Sequence, residues 1–129
     1  LVWPDEESTQ WISQAAQRHG SHFTVCSKTR DGDRSVDRTL PQADFAGRAV
    51  VLLDDIASSG HTLANVTRLL MSAGAATVDV AVTHALFADD AIKLIKEAGV
   101  SNIWSTDCIP HPSNAVSMAP LIATALTSL

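Results

Sequence analysis

The feature that most constrains the fold is an apolar, β-branched run, Ala49 to Leu53, that ends in two adjacent carboxylates. An uninterrupted run of this kind predicts a strand buried on both faces, because a half-buried strand would alternate polar and apolar residues. A predicted helix follows, and its apolar face carries Leu63, Val66, Leu69, Leu70 and Ala73. Gly74 lies behind it, where glycine commonly ends a helix. A buried strand followed by such a helix indicates a βαβ unit and hence a parallel sheet.

The rest of the chain repeats this alternation. Strands are predicted at 22–28, 77–83 and 102–106, and helices around 11–16, at 88–98 and from Pro120 onward. We therefore predict an α/β fold, a three-layer open sheet of mostly parallel strands flanked by helices. The charged 30–48 stretch interrupts the pattern and is expected to be a hairpin or loop outside the core. Two prolines mark a further loop at 110–112.

Length, charge and cysteine content restrict the class of protein. A chain of 129 residues fits one domain, and its apolar opening at Leu1 leads us to expect a fragment of a longer protein. The net charge of −5 argues against nucleic acids and anionic membranes as partners, since both favour a basic surface. No apolar run approaches the roughly 20 residues that span a bilayer, and no secretory signal is present. Cys26 and Cys108 lack metal-ligand spacing, so we expect free thiols and a cytoplasmic location.

The candidate site follows the buried strand directly. Asp54 and Asp55 are expected at its carboxyl end, which is where ligands bind in open α/β sheets. The small residues Ser58 to Thr62 then form a turn that leads into a helix, and such a turn directs backbone N–H groups at a phosphate. Carboxylates suit sugar hydroxyls and also a divalent cation. Together the two features predict a sugar-phosphate site.

Each half of this pattern, taken alone, is compatible with a different role. An apolar strand that ends in Asp-Asp also occurs in nucleotide hydrolases and receiver domains, or simply as a solvated strand end. A Walker-type NTPase would need an upstream G-x-x-x-x-G-K-[ST] motif, which is absent. Ser58 and Thr62 are also suitable helix caps. The direct succession of acidic pair and small-residue turn favours the ligand site.

The segment from Asp54 to Thr62 resembles the motif that binds phosphoribosyl pyrophosphate (PRPP) in type I phosphoribosyltransferases and PRPP synthetases. Further segments are similar, in the same order, to the C-terminal half of PRPP synthetases, also called ribose-phosphate pyrophosphokinases. They are residues 4–5, 28–30, 83–87, 98–99, 106–110 and 116–123. The resemblance covers essentially the whole chain. It implies that residues 1–129 form a C-terminal, phosphoribosyltransferase-like domain whose N-terminal domain is absent from this chain.

The resemblance also implies a role for each site residue. Asp54 and Asp55 would hold the ribose hydroxyls. The 5-phosphate would be bound by Ser58, Ser59, Gly60, His61 and Thr62. Lys28 and Arg30 would stabilise the diphosphoryl group during transfer, and Asp5 would help to hold Mg²⁺ near the ATP phosphates. From the residues alone, the Lys-x-Arg element is equally a solvated strand end and Asp5 a helix N-terminal charge.

The implied activity is transfer of a diphosphoryl group from Mg-ATP to ribose 5-phosphate, which yields PRPP and AMP. This chain alone is expected to bind ribose 5-phosphate or PRPP without turnover, because much of the ATP site would come from the absent half and from neighbouring subunits of a homo-oligomer. Two alternatives stay open: a phosphoribosyltransferase that consumes PRPP, and a non-catalytic homologue that regulates true synthetases. Ser58 and His61 depart from the Asp and Gly of many synthetases.

Overall fold

The structure, a computed structural model, describes residues 1–4, 9–31 and 35–128. The strands are β1 (Val2–Trp3), β2 (Thr24–Val25), β3 (Ser27–Asp31), β4 (Ser35–Thr39), β5 (Ala49–Ala57), β6 (Thr77–Ala85), β7 (Val100–Thr106) and β8 (Asn114–Val116). The helices are α1 (Thr9–His19), α2 (His61–Ser72), α3 (Ala91–Glu97) and α4 (Ala119–Leu126). No helix among the described residues has both the length and the apolar character needed to cross a membrane.

Six strands form the main sheet, in the order β2-β1-β5-β6-β7-β8, and every neighbouring pair is parallel. β3 and β4 form a separate antiparallel hairpin. The predicted open α/β sheet is therefore confirmed. The hairpin occupies the first part of the 30–48 stretch, in agreement with one of the two structures predicted there.

The direction of strand addition reverses between β1 and β5. The chain moves from β1 outward to β2, whereas from β5 it moves the other way through β6, β7 and β8. Because such crossovers are right-handed, α1 packs on the opposite face of the sheet from α2 and α3. In open α/β sheets this reversal point is where ligands bind, just outside the carboxyl ends of the strands.

The two faces of the sheet differ in burial. On the face that α2 and α3 cover, Leu52 pairs with Val80 and both are fully buried. On the other face, Leu53 and its partner Ala81 are only half-buried, and Trp104 beside Ala81 is 38% exposed. The main hydrophobic core therefore lies beneath α2 and α3, and it fixes the strand whose end carries the acidic pair.

Some expectations about burial were wrong. Leu69, assigned to the inner face of the helix, is 37% exposed, and Ala73 is the exposed residue that caps the helix. A single helix buries a narrower stripe than the apolar residues of α2 cover. Conversely, Phe45 belongs to the hydrophobic core although the 30–48 stretch was expected to lie outside it. The apolar residues of this charged segment are few, so no periodic signal marks the one that joins the core.

The start of one helix and the presence of one strand also differ from the prediction. The third helix begins at Ala91 instead of residue 88, because Phe87 and Asp89 have left-handed backbone conformations that a helix cannot include. The proline-containing loop is followed by a short strand, β8, that was not predicted. A strand of three residues is too short to display an alternating pattern.

Candidate functional site

The acidic pair lies within β5, which continues four residues beyond Leu53. Asp54 is half-buried and Asp55 is exposed. One carboxylate oxygen of Asp54 accepts a hydrogen bond from the Asp55 N–H at 3.0 Å, and one of Asp55 accepts from the Ile56 N–H at 2.8 Å. These local bonds restrict the rotamers of both side chains, and an ionised carboxylate is an acceptor only. The structure thus confirms the predicted place of the pair near the carboxyl end of the strand.

Residues 58–62, called the 58–62 turn below, comprise the connection from β5 and the first two residues of α2. Ser58, Ser59 and His61 are exposed, and Thr62 is half-buried. The N-cap of α2 is Gly60, so Ser58 and Thr62 do not occupy the capping position considered for them. The first intrahelical bond runs from Ala64 N–H to the Gly60 carbonyl at 2.9 Å. The N–H groups of the preceding helical residues therefore have no intrahelical acceptor, and the helix dipole adds partial positive charge there.

Gly60 is required at its position for two reasons. Its φ of 77° lies in the left-handed region, which favours glycine. A Cβ atom would also lie 3.1 Å from the Ala91 carbonyl oxygen and 3.1 Å from Cδ1 of Ile95. The turn therefore rests directly on the start of α3, and its backbone position is determined by packing as well as by sequence.

The acidic strand end and the 58–62 turn line one hollow of about 140 Å³. Asp54 forms one wall of it, and Ser58, Ser59, Gly60 and Thr62 form another. Asp54 also borders a largely apolar groove of about 170 Å³ that runs across the carboxyl ends of β5, β6 and β7. The structure thus brings together the carboxylate and the phosphate-type turn that the sequence placed a few residues apart.

Lys28 and Arg30 lie on β3 of the hairpin. Their backbone partners are Arg38 and Val36 on β4, and their side chains are outside what the structure describes. The hairpin begins immediately after β2, and β2 is parallel to β1, its neighbour in the sheet. The hairpin therefore leaves the main sheet at the carboxyl ends of its strands, near which Asp54 also lies. This position is compatible with the predicted roles of Lys28 and Arg30 but does not test them. Asp5 lies outside the described residues.

A divalent cation has a partial donor set here. Within the described ranges, no group of three or more His, Cys, Asp or Glu side chains is arranged to hold a metal. Mg²⁺, however, is usually bound by one or two carboxylates together with water and substrate phosphates. Asp54 lines the hollow, whereas its exposed neighbour Asp55 and exposed His61 do not. The carboxylate of Asp54 fits that pattern when a ligand supplies the remaining oxygens.

One supporting segment was overlooked at the level of sequence. The loop of residues 86–90, called the 86–90 loop below, joins β6 to α3 and contacts the 58–62 turn. The Phe87 N–H donates to the Ala57 carbonyl at 2.8 Å, and the Ala88 N–H donates to the Ser58 carbonyl at 3.1 Å. Only the resemblance singled out Phe87, and without a role, because backbone hydrogen bonds between distant segments leave no local sequence signal.

Comparison with known proteins identifies the family. A family model described as "Phosphoribosyl transferase domain" matches residues 2–119. A ribose-phosphate pyrophosphokinase of Methanosarcina mazei is 38% identical over 128 residues, which cover 98% of this chain and 43% of that protein. Ribose-phosphate pyrophosphokinase 2 of Archaeoglobus fulgidus is 34% identical over 123 residues, covering 95% and 45% respectively.

The fold comparison agrees. The crystal structure of phosphoribosylpyrophosphate synthetase from Mycobacterium smegmatis superimposes with a TM-score of 0.77 at 28% identity, covering 98% of this chain and 43% of that chain. The chain therefore spans less than half the length of these relatives. The family match contains the acidic pair, the 58–62 turn and the 86–90 loop. The chain belongs to the phosphoribosyl transferase domain family, and along almost its whole length it is similar to ribose-phosphate pyrophosphokinases.

Proposed function

We propose that this chain binds ribose 5-phosphate or PRPP at the carboxyl ends of the sheet's strands. As the C-terminal domain of a longer protein, it supplies this site to a ribose-phosphate diphosphokinase. The observation that carries the proposal is the single hollow shared by Asp54 and the 58–62 turn. It offers acceptors for hydroxyl groups at one side and donors for phosphate at the other. Ribose 5-phosphate carries hydroxyls and a phosphate at its two ends and matches this arrangement.

The binding roles follow from the chemistry of the groups. Asp54 and Asp55 accept hydrogen bonds from the ribose hydroxyls, since a carboxylate is an acceptor only. The N–H groups at the start of α2 and the hydroxyls of the 58–62 turn donate to the 5-phosphate. Ser58 keeps a hydroxyl donor where many synthetases have a carboxylate, and exposed His61 keeps its backbone N–H. Both departures are therefore compatible with phosphate binding.

In the full-length protein the reaction would transfer a diphosphoryl group from ATP to ribose 5-phosphate. The C1 hydroxyl oxygen of ribose 5-phosphate attacks the β-phosphorus of ATP and gives up its proton, and the bond between that phosphorus and the oxygen bridging it to the α-phosphate breaks. AMP leaves and PRPP forms. Lys28 and Arg30 would neutralise the charge on the transferred group, as such transfers depend mainly on positioning and charge. Mg²⁺, held by Asp5 or the acidic pair, would supply further positive charge to the ATP phosphates.

The same proposal includes a homo-oligomeric state, which the resemblance predicts, and a cytoplasmic location, which the cysteine pattern predicts. A phosphoribosyltransferase that uses PRPP would employ the same hollow, and a regulatory homologue would keep binding without catalysis. No specific observation favours either alternative. Turnover by the full-length protein, compared with Lys28→Ala, would separate them, because a regulator would show none in either form.

The binding proposal is tested by calorimetry of this chain with ribose 5-phosphate, with and without Mg²⁺, and with ribose as the ligand that lacks phosphate. The double variant Asp54→Asn/Asp55→Asn is expected to raise the Kd about 100-fold or beyond detection, because it removes two charged acceptors. Asp44→Asn/Glu97→Gln, the matched control, removes the same charge from exposed positions outside the hollow and should bind normally. Equal affinity of the two double variants, or equal affinity for ribose and ribose 5-phosphate, contradicts the proposal.

A further inference from the structure

The 86–90 loop has an unusual backbone. Phe87 has a φ of 32° and Asp89 a φ of 51°, and among the described residues these are the non-glycine positions with positive φ. Such conformations are unfavourable for residues with a Cβ atom and persist only where surrounding contacts impose them. Neither residue is a glycine that would adopt this shape freely. The contacts that impose the shape should therefore be visible around the loop, and two sets of them are.

The first set is made by the backbone. Phe87 and Ala88 donate their N–H groups to the carbonyls of Ala57 and Ser58, at 2.8 and 3.1 Å. These two carbonyls stand at the entry of the 58–62 turn. Carbonyl oxygens that faced the hollow would repel an anion, whereas carbonyls bonded to the 86–90 loop are directed away from it. The N–H groups that follow in the turn are then left to face the ligand.

The second set is made by the Phe87 ring. The partly buried ring packs against the hydrophobic core. Its centroid lies 4.9 Å from that of the His111 ring, and the two ring planes are inclined at 46°. That distance and tilt suit an attractive aromatic contact. The ring thus holds the 86–90 loop against the segment that follows β7.

His111 is itself held in a polar network. Its Nδ1 lies 2.7 Å from the Ser113 hydroxyl and accepts from the Ser113 N–H at 3.1 Å. The backbone N–H of His111 donates to Oδ1 of Asn114 at 2.9 Å. The Asn114 amide donates in turn to the Ser105 hydroxyl and to two backbone carbonyls. Ser105 is buried in β7. The Phe87 ring therefore contacts a fixed partner.

We propose that Phe87 is a positioning residue for the anion-binding turn. Its N–H bonds the Ala57 carbonyl, and its ring holds the 86–90 loop, from which the Ala88 N–H bonds the Ser58 carbonyl. The assignment deepens the proposed function and rests on it where ligand binding is concerned. The effect of Phe87 on the conformation of the turn does not depend on any ligand. Ala91, which follows the 86–90 loop as the first residue of α3, supports the turn at Gly60. The turn is thus supported at its entry by the 86–90 loop and at Gly60 by the start of α3.

The test compares Phe87→Leu with Phe45→Leu. Both variants replace a phenylalanine in contact with the core by the same smaller residue, and Phe45 lies near the start of β5, away from the hollow. Amide hydrogen exchange of residues 57–62 is measured without ligand, and affinity for ribose 5-phosphate is measured by calorimetry. Phe87→Leu is expected to accelerate exchange in the turn and to weaken binding about tenfold, the upper range for a lost aromatic contact. Phe45→Leu should lower the melting temperature yet leave both readings within about twofold of wild type.

The outcomes separate the two proposals. If wild type does not bind ribose 5-phosphate, the proposed function fails, while exchange in residues 57–62 still decides the role of Phe87. Equal exchange and equal affinity in the two leucine variants would overturn the positioning role. Should Phe87→Leu fail to fold, His111→Ala removes the ring partner and leaves Phe87 in place. It is then expected to weaken binding by about fivefold, and unchanged exchange in the turn would overturn the role.

Discussion

α2 and α4 both follow a strand of the same parallel sheet, yet the rest of the molecule holds them very differently. α2 buries Leu63, Ala64, Val66, Thr67 and Leu70. α4 buries none of its residues, and Leu121, Ile122 and Leu126 are 60%, 54% and 63% exposed. Its start is held by Asp107, which accepts the Met118 N–H at 2.8 Å and the Ser117 hydroxyl at 2.7 Å. The 58–62 turn leads into α2, which the core holds in place, so the position of the turn derives from core packing. α4 depends instead on hydrogen bonds to Asp107.

The largest expected effect comes from shortening one side chain in each helix. Leu63→Ala should lower the free energy of unfolding by about 3 kcal/mol, because Leu63 is 1% exposed and its loss leaves a cavity. Leu121→Ala, on the exposed face of α4, should change it by less than about 0.5 kcal/mol. Chemical denaturation measures both. Comparable losses in the two variants would mean that α4 contributes to the core as much as α2 does.

A second substitution asks whether the turn depends on close packing or only on backbone conformation. Gly60→Ala and Gly47→Ala both place a Cβ atom at a left-handed φ, 77° and 67° respectively, but only at Gly60 would the Cβ meet neighbouring atoms within 4 Å. Gly47→Ala should cost about 1 kcal/mol of unfolding free energy and Gly60→Ala about 3 kcal/mol. Only Gly60→Ala should also weaken ribose 5-phosphate binding. Equal unfolding midpoints would show that packing against α3 does not constrain the turn.

The smallest effect concerns pH and should be confined to α4. The Met118 N–H, followed by the Ser117 hydroxyl, lowers the pKa of Asp107 below its ordinary value of 3.8. A carboxyl with a lowered pKa in the folded state stabilises that state at pH values above the unfolded pKa, and the contribution is lost as pH falls through the folded value. The protection factors of the α4 amides, which compare measured with intrinsic exchange rates at each pH, should therefore fall below about pH 4. Asp107→Asn should abolish this fall, and its persistence in that variant would assign it to another group.

The sequence was sufficient for the architecture and for the place of the acidic pair. An apolar run followed by an amphipathic helix has a period that can be counted, and Ala49 to Leu53 therefore predicted the central strand correctly. The motif at 54–62 predicted the hollow because its parts are contiguous in the chain. Signals of this kind are local, so a single sequence contains them.

Features that depend on contacts between distant segments were not predictable in the same way. Phe87 appeared as part of a family motif, but its left-handed backbone results from bonds to Ala57 and Ser58, thirty positions earlier. The exposure of Leu69 depends on how wide a stripe of α2 the sheet can cover. The roles of Lys28, Arg30 and Asp5 stay predictions, since their side chains lie outside the described structure.

The parallel sheet also sets the order in which the chain can assemble. β5, β6 and β7 follow one another along the chain, each linked to the next by a single helix, so their pairing closes short loops. Val2 of β1 must instead find Leu52 across α1 and the whole hairpin. Because loop closure costs more entropy for distant segments, we expect residues 49–106 to form the folding nucleus and β1 to dock late. The anion-binding turn would then exist before β1 and β2 dock and bring the hairpin with Lys28 and Arg30 to the sheet.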